Sequence, residues 1–138
     1  NGPNLNLLGQ RQPDVYGSQT LGDIEAMCRS AFPDCDMRFR QSNIEGELVD
    51  FIQQAGAEAQ AIVINPAAYT HTSVALHDAL NAVAIPSVEI HLSQPAARES
   101  FRRRSLVSEA VNGTISGFGA NSYLLGLQAA HELVKASE

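Results

Sequence analysis

At 138 residues the chain has the length of a single domain, enough to bury a core without disulfide or metal staples. Charged residues make up only 17% and apolar residues 44%, the balance of a well-buried or oligomeric globular protein. A net charge of −6, with Arg102-Arg103-Arg104 as the sole basic run, argues against a nucleic-acid or anionic-membrane binder. Cys28 and Cys35 lack CxxC spacing and read as reduced, partly buried thiols of a cytosolic protein. No signal peptide or membrane-length apolar run is present.

The first eighteen residues, NGPNLNLLGQRQPDVYGS, hold three Asn, three Gly and two Pro. Such segments lie at surfaces and often carry function. A guanidinium at Arg11 folded near the Tyr16 phenol would favour phenolate and make Tyr16 a general base; the alternative is a mobile turn with a surface Tyr.

Thr20 to Asp23 forms a capping box with Asp in place of Glu. Leu21, Ile24 and Cys28 then line one face of a helix that stops at Pro33. The run MRFR, within Asp36–Arg40, reads as a short extended segment near a sheet edge. Ser42 to Glu45 is a second capping box, followed by Ile44, Leu48, Phe51, Ile52 and Ala55 at helical spacing up to Gly56. Ala61–Ile64 is unbroken apolar, as a parallel strand covered on both faces requires, and runs into Asn65-Pro66.

A helix follows Thr70-His71-Thr72-Ser73 and reaches Val83, with Leu76, Leu80 and Val83 inward. Pro86 opens a strand, SVEIHLS, with Val88, Ile90 and Leu92 on one face and Glu89, His91 and Ser93 on the other. Pro95–Arg104 is a short helix or turn, Gly113–Gly117 the last strand, and Asn121–Ala136 a closing amphipathic helix. This alternation predicts an α/β, doubly wound, flavodoxin-like sandwich, a parallel sheet with helices on both faces. The chain starts where a first strand of roughly five or six residues should finish, so a five-stranded sheet is expected to lack that strand here.

In such folds ligands bind beyond the carboxyl ends of the strands, where Asn65, Glu89, His91 and Ser93 fall. A carboxylate beside His91 can orient the imidazole and make it a general acid; the pair could equally be a buried structural ion pair. Thr70–Ser73 opens a helix and could hold an anion or simply cap it. Asn65 before Pro could be only a turn residue, and His77 and Asp78 read as surface. The four His have no metal-ligand spacing, no dinucleotide, Walker or GxSxG motif occurs, and the sole Lys is Lys135, which disfavours Schiff-base chemistry. The remaining inventory suits removing a proton next to a carbonyl, stabilising an enolate and protonating a leaving hydroxyl. It describes a cofactor-free lyase or isomerase acting on a small polar acid. A non-catalytic carboxylate-binding module and a shell-forming oligomer are the competing classes.

The motifs NGPNLNLLG…VYG, RQSNIEGEL, VINPAAYTHTSVAL, VEIHLS and RESFRRRS, in order over essentially the whole chain, strongly resemble type II 3-dehydroquinate dehydratase. The resemblance implies conversion of 3-dehydroquinate to 3-dehydroshikimate in the cytoplasm, by anti elimination through an enolate and without a cofactor. It further implies one flavodoxin-like catalytic domain over residues 1–138, assembled as a dodecamer of four trimers, with residues 9–18 as an active-site lid. By position it makes Tyr16 the base, Arg11 its activator and transition-state stabiliser, His91 the acid, Glu89 its partner, and Asn4 the holder of an enolate-stabilising water. Asn65, His71 and Arg102 match substrate contacts, the Leu92 and Ser93 amides a carboxylate site, and Asp78 a residue reaching into a neighbouring subunit. Two departures are visible: Gln94-Pro95-Ala96 in the run from Ser93 to Arg98, and His77 where Arg is common. They put in doubt the contacts beyond the carboxylate site and the trimer contact.

Overall fold

The computed structural model describes residues 1–138. After the short turn Leu5–Leu7, its elements are α1 (Pro13–Tyr16, a single turn), α2 (Leu21–Ala31), α3 (Glu45–Glu58), β1 (Ile62–Ile64), α4 (Val74–Ala82), β2 (Ser87–His91), β3 (Gly113–Ser116) and α5 (Asn121–Ser137). Between them lie further 3-10 turns, at Ala67–His71, Pro95–Ala97, Ser100–Arg102 and Ser108–Ala110. The three strands form one parallel sheet in the order β1-β2-β3, with Ile64 paired to Glu89 and Glu89 to Thr114. None of the helices is long and apolar enough to cross a membrane.

The sheet separates two apolar clusters. On one face Val88, Ile90 and Leu92 pack with Ile24 and Cys28 of α2 and with Tyr123 and Ala130 of α5. On the other, Ile64 packs with Leu48 and Ile52 of α3 and with Leu76, Ala79 and Leu80 of α4. All five residues of β2 are buried, as the central strand of a doubly wound sheet must be. A methyl at Gly126 would meet Ile90 Cγ2 at 2.6 Å and Val63 Cγ1 at 3.1 Å, so only glycine lets α5 approach the sheet this closely.

The capping box at α2 forms as its sequence requires. Thr20 Oγ1 accepts from the Asp23 amide at 3.1 Å and Asp23 Oδ2 accepts from the Thr20 amide at 3.0 Å. Such a cap contributes about 1 kcal/mol. At α3 the expected box does not form. Ser42 Oγ instead accepts from the Ile44 amide at 2.9 Å and donates to Glu47 Oε2 at 3.1 Å, so the helix starts at Glu45 and Ile44 stands 59% exposed rather than inward. The helix also runs two residues beyond Gly56, to Glu58.

Asp36–Arg40 is a further correction: the segment is extended but is not a strand. Met37 and Phe39 pack onto the α2/α5 cluster, while Arg38 pairs with Glu58 and the Arg40 guanidinium lies 5.2 Å from the Phe51 ring centre. Its alternation is thus satisfied by packing, whereas a strand needs a ladder of backbone bonds. The one backbone-to-backbone bond to the N-terminal segment comes just beyond it, from the Ser42 amide to Asn1 O at 3.0 Å, while the Arg40 carbonyl accepts from the Asn1 side chain at 2.9 Å. The thiols differ from expectation as well: Cys28 is wholly buried, and burial raises its pKa, whereas Cys35 is exposed.

Candidate active site

Beyond the carboxyl ends of β1 and β2, a small cavity of about 40 Å³ is lined by Asn4, Arg11, Tyr16, Asn65, His71, His91, Leu92, Ser93, Arg98 and Arg102, with Pro3, Leu5, Ala67, Ala68 and Pro95 completing it. A wider open groove of about 660 Å³ lies alongside and shares Tyr16, Leu92, Ser93 and Arg98 with it. Nine of the eleven residues singled out in the sequence therefore meet at one cavity. Glu89 lies behind His91, and Asp78 lies on the exposed face of α4 with no ion pair in the chain.

Tyr16 ends the single turn α1, which Pro13 starts at its first position. Gly9 (φ 88°) and Gly17 (φ 84°) bracket this loop, and Gln12 at φ 40° adds a left-handed kink. The Arg11 guanidinium sits over the Tyr16 ring, 5.0 Å from its centre, and does not bond the phenol oxygen. That bond comes from Arg98, whose Nη1 donates to the Tyr16 hydroxyl at 2.9 Å and whose guanidinium carbon lies 5.2 Å from the ring centre. The arginine expected to sit by the phenol is thus joined by a second, 82 positions from Tyr16. Sequence reasoning passed over Arg98 because only the fold brings the two together. Its one sequence signal was its place at the end of the Ser93–Arg98 run.

His91 and Glu89 form a tight pair, with His91 Nε2 to Glu89 Oε1 at 2.6 Å. Nδ1 makes no hydrogen bond within the chain, and no buried side-chain polar atom lacks a partner, so Nδ1 is open to the cavity that His91 lines. Glu89 is fully buried, which by itself would raise its pKa. Hydrogen bonds from His91, Thr70 and Ser105, together with the charge of His91, outweigh that cost and hold the carboxyl below the usual carboxylate range.

Asn65 is more than a turn residue. Its Oδ1 accepts from the Ala67 amide at 3.1 Å and its Nδ2 donates to the Tyr123 hydroxyl at 3.1 Å. Tyr123 in turn donates to Asn1 Oδ1 at 2.6 Å, and burial raises its pKa far enough to keep it protonated. Tyr123 is therefore a second residue that sequence reasoning missed; an aromatic on the inner face of a helix carries no polar signal. Ala67, at φ 51°, is a strained non-glycine residue on the cavity wall, and Asn4, at φ 67°, is another, of a type that tolerates the region better.

His71 Nδ1 bonds the Arg104 carbonyl at 2.7 Å, leaving its other ring nitrogen for the cavity. His71 is half-buried rather than solvent-exposed, and the helix cap that follows is Ser73, which accepts from the Leu76 amide at 2.9 Å. His77 turns to its own chain, with Nδ1 on the Leu106 carbonyl at 2.7 Å and Nε2 on Asn81 at 3.0 Å. The backbone amides of Leu92 and Ser93 donate to no acceptor in the chain, the condition for an anion site. Arg102 is held by Glu99 at 2.7 Å.

This arrangement can do acid–base chemistry across one small space, with a phenol backed by two guanidinium groups and an imidazole backed by a carboxylate. The family model for dehydroquinase class II matches residues 1–131. The chain is 54% identical to a 3-dehydroquinate dehydratase of Rhizobium meliloti, covering 100% of this chain and 95% of that protein. It is 57% identical to one of Phenylobacterium zucineum, covering 97% and 94%. Among solved structures, type II dehydroquinase from Propionibacterium acnes superposes with a TM-score of 0.89 at 40% identity, covering 97% and 92%. With the parallel sheet, the cavity at its carboxyl end and a family match over nearly the whole length, the chain belongs to the class II dehydroquinases.

Proposed function

We propose that this chain removes water from 3-dehydroquinate to give 3-dehydroshikimate, and that residues 1–138 act as one catalytic domain without a cofactor. The carrying observation is that Tyr16 and His91 line the same cavity, each with its own charged partner, Arg98 and Glu89.

In this reading the Tyr16 phenolate takes the proton from C2, and the electrons move onto the C3 carbonyl as an enolate. Arg98 positions the phenol oxygen and complements negative charge there, while Arg11 stabilises charge developing in the transition state. A water held by Asn4, whose side chain makes no hydrogen bond within the chain, meets the enolate oxygen. Collapse of the enolate forms the C1–C2 double bond and expels the C1 hydroxyl, which His91 protonates from Nδ1 and releases as water. Delivery from Nδ1 while Nε2–H stays on Glu89 makes the donor an imidazolium, whose charge the buried carboxylate offsets. The free Leu92 and Ser93 amides and Arg102 bind the substrate carboxylate, and Asn65 and His71 its hydroxyls.

In this reading residues 9–18 are a lid that moves aside for substrate and then returns, bringing in Arg11 and Tyr16 and excluding water. Asp78, exposed and unpaired on α4, completes the site of a neighbouring subunit in a trimer, and four trimers form a dodecamer in the cytoplasm.

The test is turnover of 3-dehydroquinate followed by the absorbance of the conjugated enone, with and without borohydride pretreatment, alongside light scattering. Borohydride-insensitive turnover by a dodecamer is expected. A folded oligomer that binds but does not convert the substrate would instead identify a carboxylate-binding module, and a monomer would remove the role given to Asp78.

A further inference from the structure

Glu89 is fully buried, yet its carboxyl is surrounded by donors from four separate segments. His91 Nε2 and the Thr70 hydroxyl bond Oε1. Ser105 Oγ lies 3.1 Å from Oε1 and 3.2 Å from Oε2, and Thr114 Oγ1 of β3 lies 3.5 Å from Oε2. Thr70 and Ser105 also touch each other, with their oxygens 2.6 Å apart, and the Ser108 amide donates to Ser105 Oγ at 2.9 Å. Because Ser105 already accepts that amide, its own proton points to Glu89 or to Thr70. Both routes end in a donor on the carboxylate. Several donors therefore converge on one buried carboxyl, an arrangement that favours its anion.

The same residues join the two segments that carry cavity-lining side chains. The Leu106 amide donates to the Thr70 carbonyl at 2.7 Å, and His71 bonds the Arg104 carbonyl at 2.7 Å. Ser105 directly follows the run containing Arg102, and Thr70 directly precedes His71. We propose that Ser105, acting with Thr70, is a positioning residue that holds Glu89 anionic and aligned, and so sets the protonation of His91. The inference rests on the dehydratase reading for its catalytic consequence, though not for the Glu89 geometry.

The groups facing Glu89 across the sheet are Ile64 from β1 and Thr114 from β3, neither titratable near neutrality, and His91 is the one charged group that acts on it. Removing the Ser105 hydroxyl therefore has a directional effect. In Ser105→Ala the lost donor raises the proton affinity of the Glu89–His91 pair, so the alkaline limb of the kcat–pH profile, which the general acid governs, moves up by about one unit, the scale of one hydrogen bond to a charged group, while KM changes less than about threefold. Ser105→Thr, which keeps the hydroxyl, restores the profile. If Ser105→Ala fails to fold, Thr70→Val removes the other donor and is expected to move the limb in the same direction.

A carbon-13 NMR titration of the Glu89 carboxyl in the same variants reports without turnover. An upward shift there in a chain that does not convert 3-dehydroquinate would sink the dehydratase reading and leave the hold of Ser105 on Glu89 standing. An unchanged Glu89 titration, or a kcat–pH profile superimposable on wild type, would overturn the inference. So would a loss confined to KM or to thermal stability.

Discussion

Replacing Arg98 tests the arrangement around Tyr16 most directly, because this contact comes from the fold alone. Its Nη1 stands 2.9 Å from the phenol oxygen, and its side chain is only 19% exposed, so water compensates little for its loss. A hydrogen bond from a charged donor contributes about 1.5–3 kcal/mol net, which at room temperature corresponds to a loss of roughly 10- to 150-fold in kcat/KM. Arg98→Met keeps most of the apolar stem and removes the donor. Arg98→Lys keeps the charge without the planar fork and should recover part of the loss.

The assay is initial rate against substrate concentration, read by enone absorbance, with both kcat and KM extracted. The loss is expected in kcat, because the contact is to the proposed base. Arg98 Nη1 also lies 3.4 Å from Ser93 Oγ, beside the proposed carboxylate site, so the split matters. A loss wholly in KM would make Arg98 a substrate contact. Arg98→Met within about threefold of wild type would refute the role outright. A double variant with Arg11→Ala should fall short of the product of the two single losses, because both guanidiniums act on one ring.

Tyr16→Phe and Arg11→Ala should each lower turnover by at least about 100-fold, the low end of general acid–base catalysis, with assembly unchanged by light scattering. A variant within a few-fold of wild type would leave the mechanism without that residue. Glu89 has a lowered folded-state pKa, so its contribution to stability is complete above the ordinary value of 4.5 and is lost as pH falls through the lowered one. Denaturation midpoints measured from pH 6 down to pH 3 should fall more steeply for wild type than for Glu89→Gln, and parallel curves would count against this. Ala67→Gly should relieve a left-handed strain of about 1–2 kcal/mol and give back about 0.4–1 kcal/mol through the freer unfolded chain. A rise in Tm of about 2–4 °C is expected, and a fall would show that the strain is not there.

The linear chain already contained the layer order. An unbroken apolar run at Ile62–Ile64, an alternating one within Ser87–His91, helical spacing between them, and polar residues at the strand ends specify a doubly wound sheet with its site at the carboxyl edge. These are local properties, set by side-chain period and by which residues avoid water, so they can be read from neighbours in sequence. The motifs likewise picked out Tyr16, His91 and Glu89, because their residue types limit the chemistry available. Ile44 and the MRFR run were misread because the same local rules permit two outcomes. A capping serine can bond one residue earlier or later, and an alternating segment can pack without pairing.

The partners of the reacting groups were decided only by tertiary structure. Arg98 reaches Tyr16 across 82 residues, Tyr123 reaches Asn65 across 58, and Ser105 and Thr70 converge on Glu89 from 16 and 19 residues away. A hydrogen bond acts over about 3 Å, while sequence separation says nothing of distance until the chain has folded back on itself. The chemistry of the site could thus be read along the chain, but the charge balance that makes it work arises only where the β1, β2 and β3 ends meet the loops packed against them.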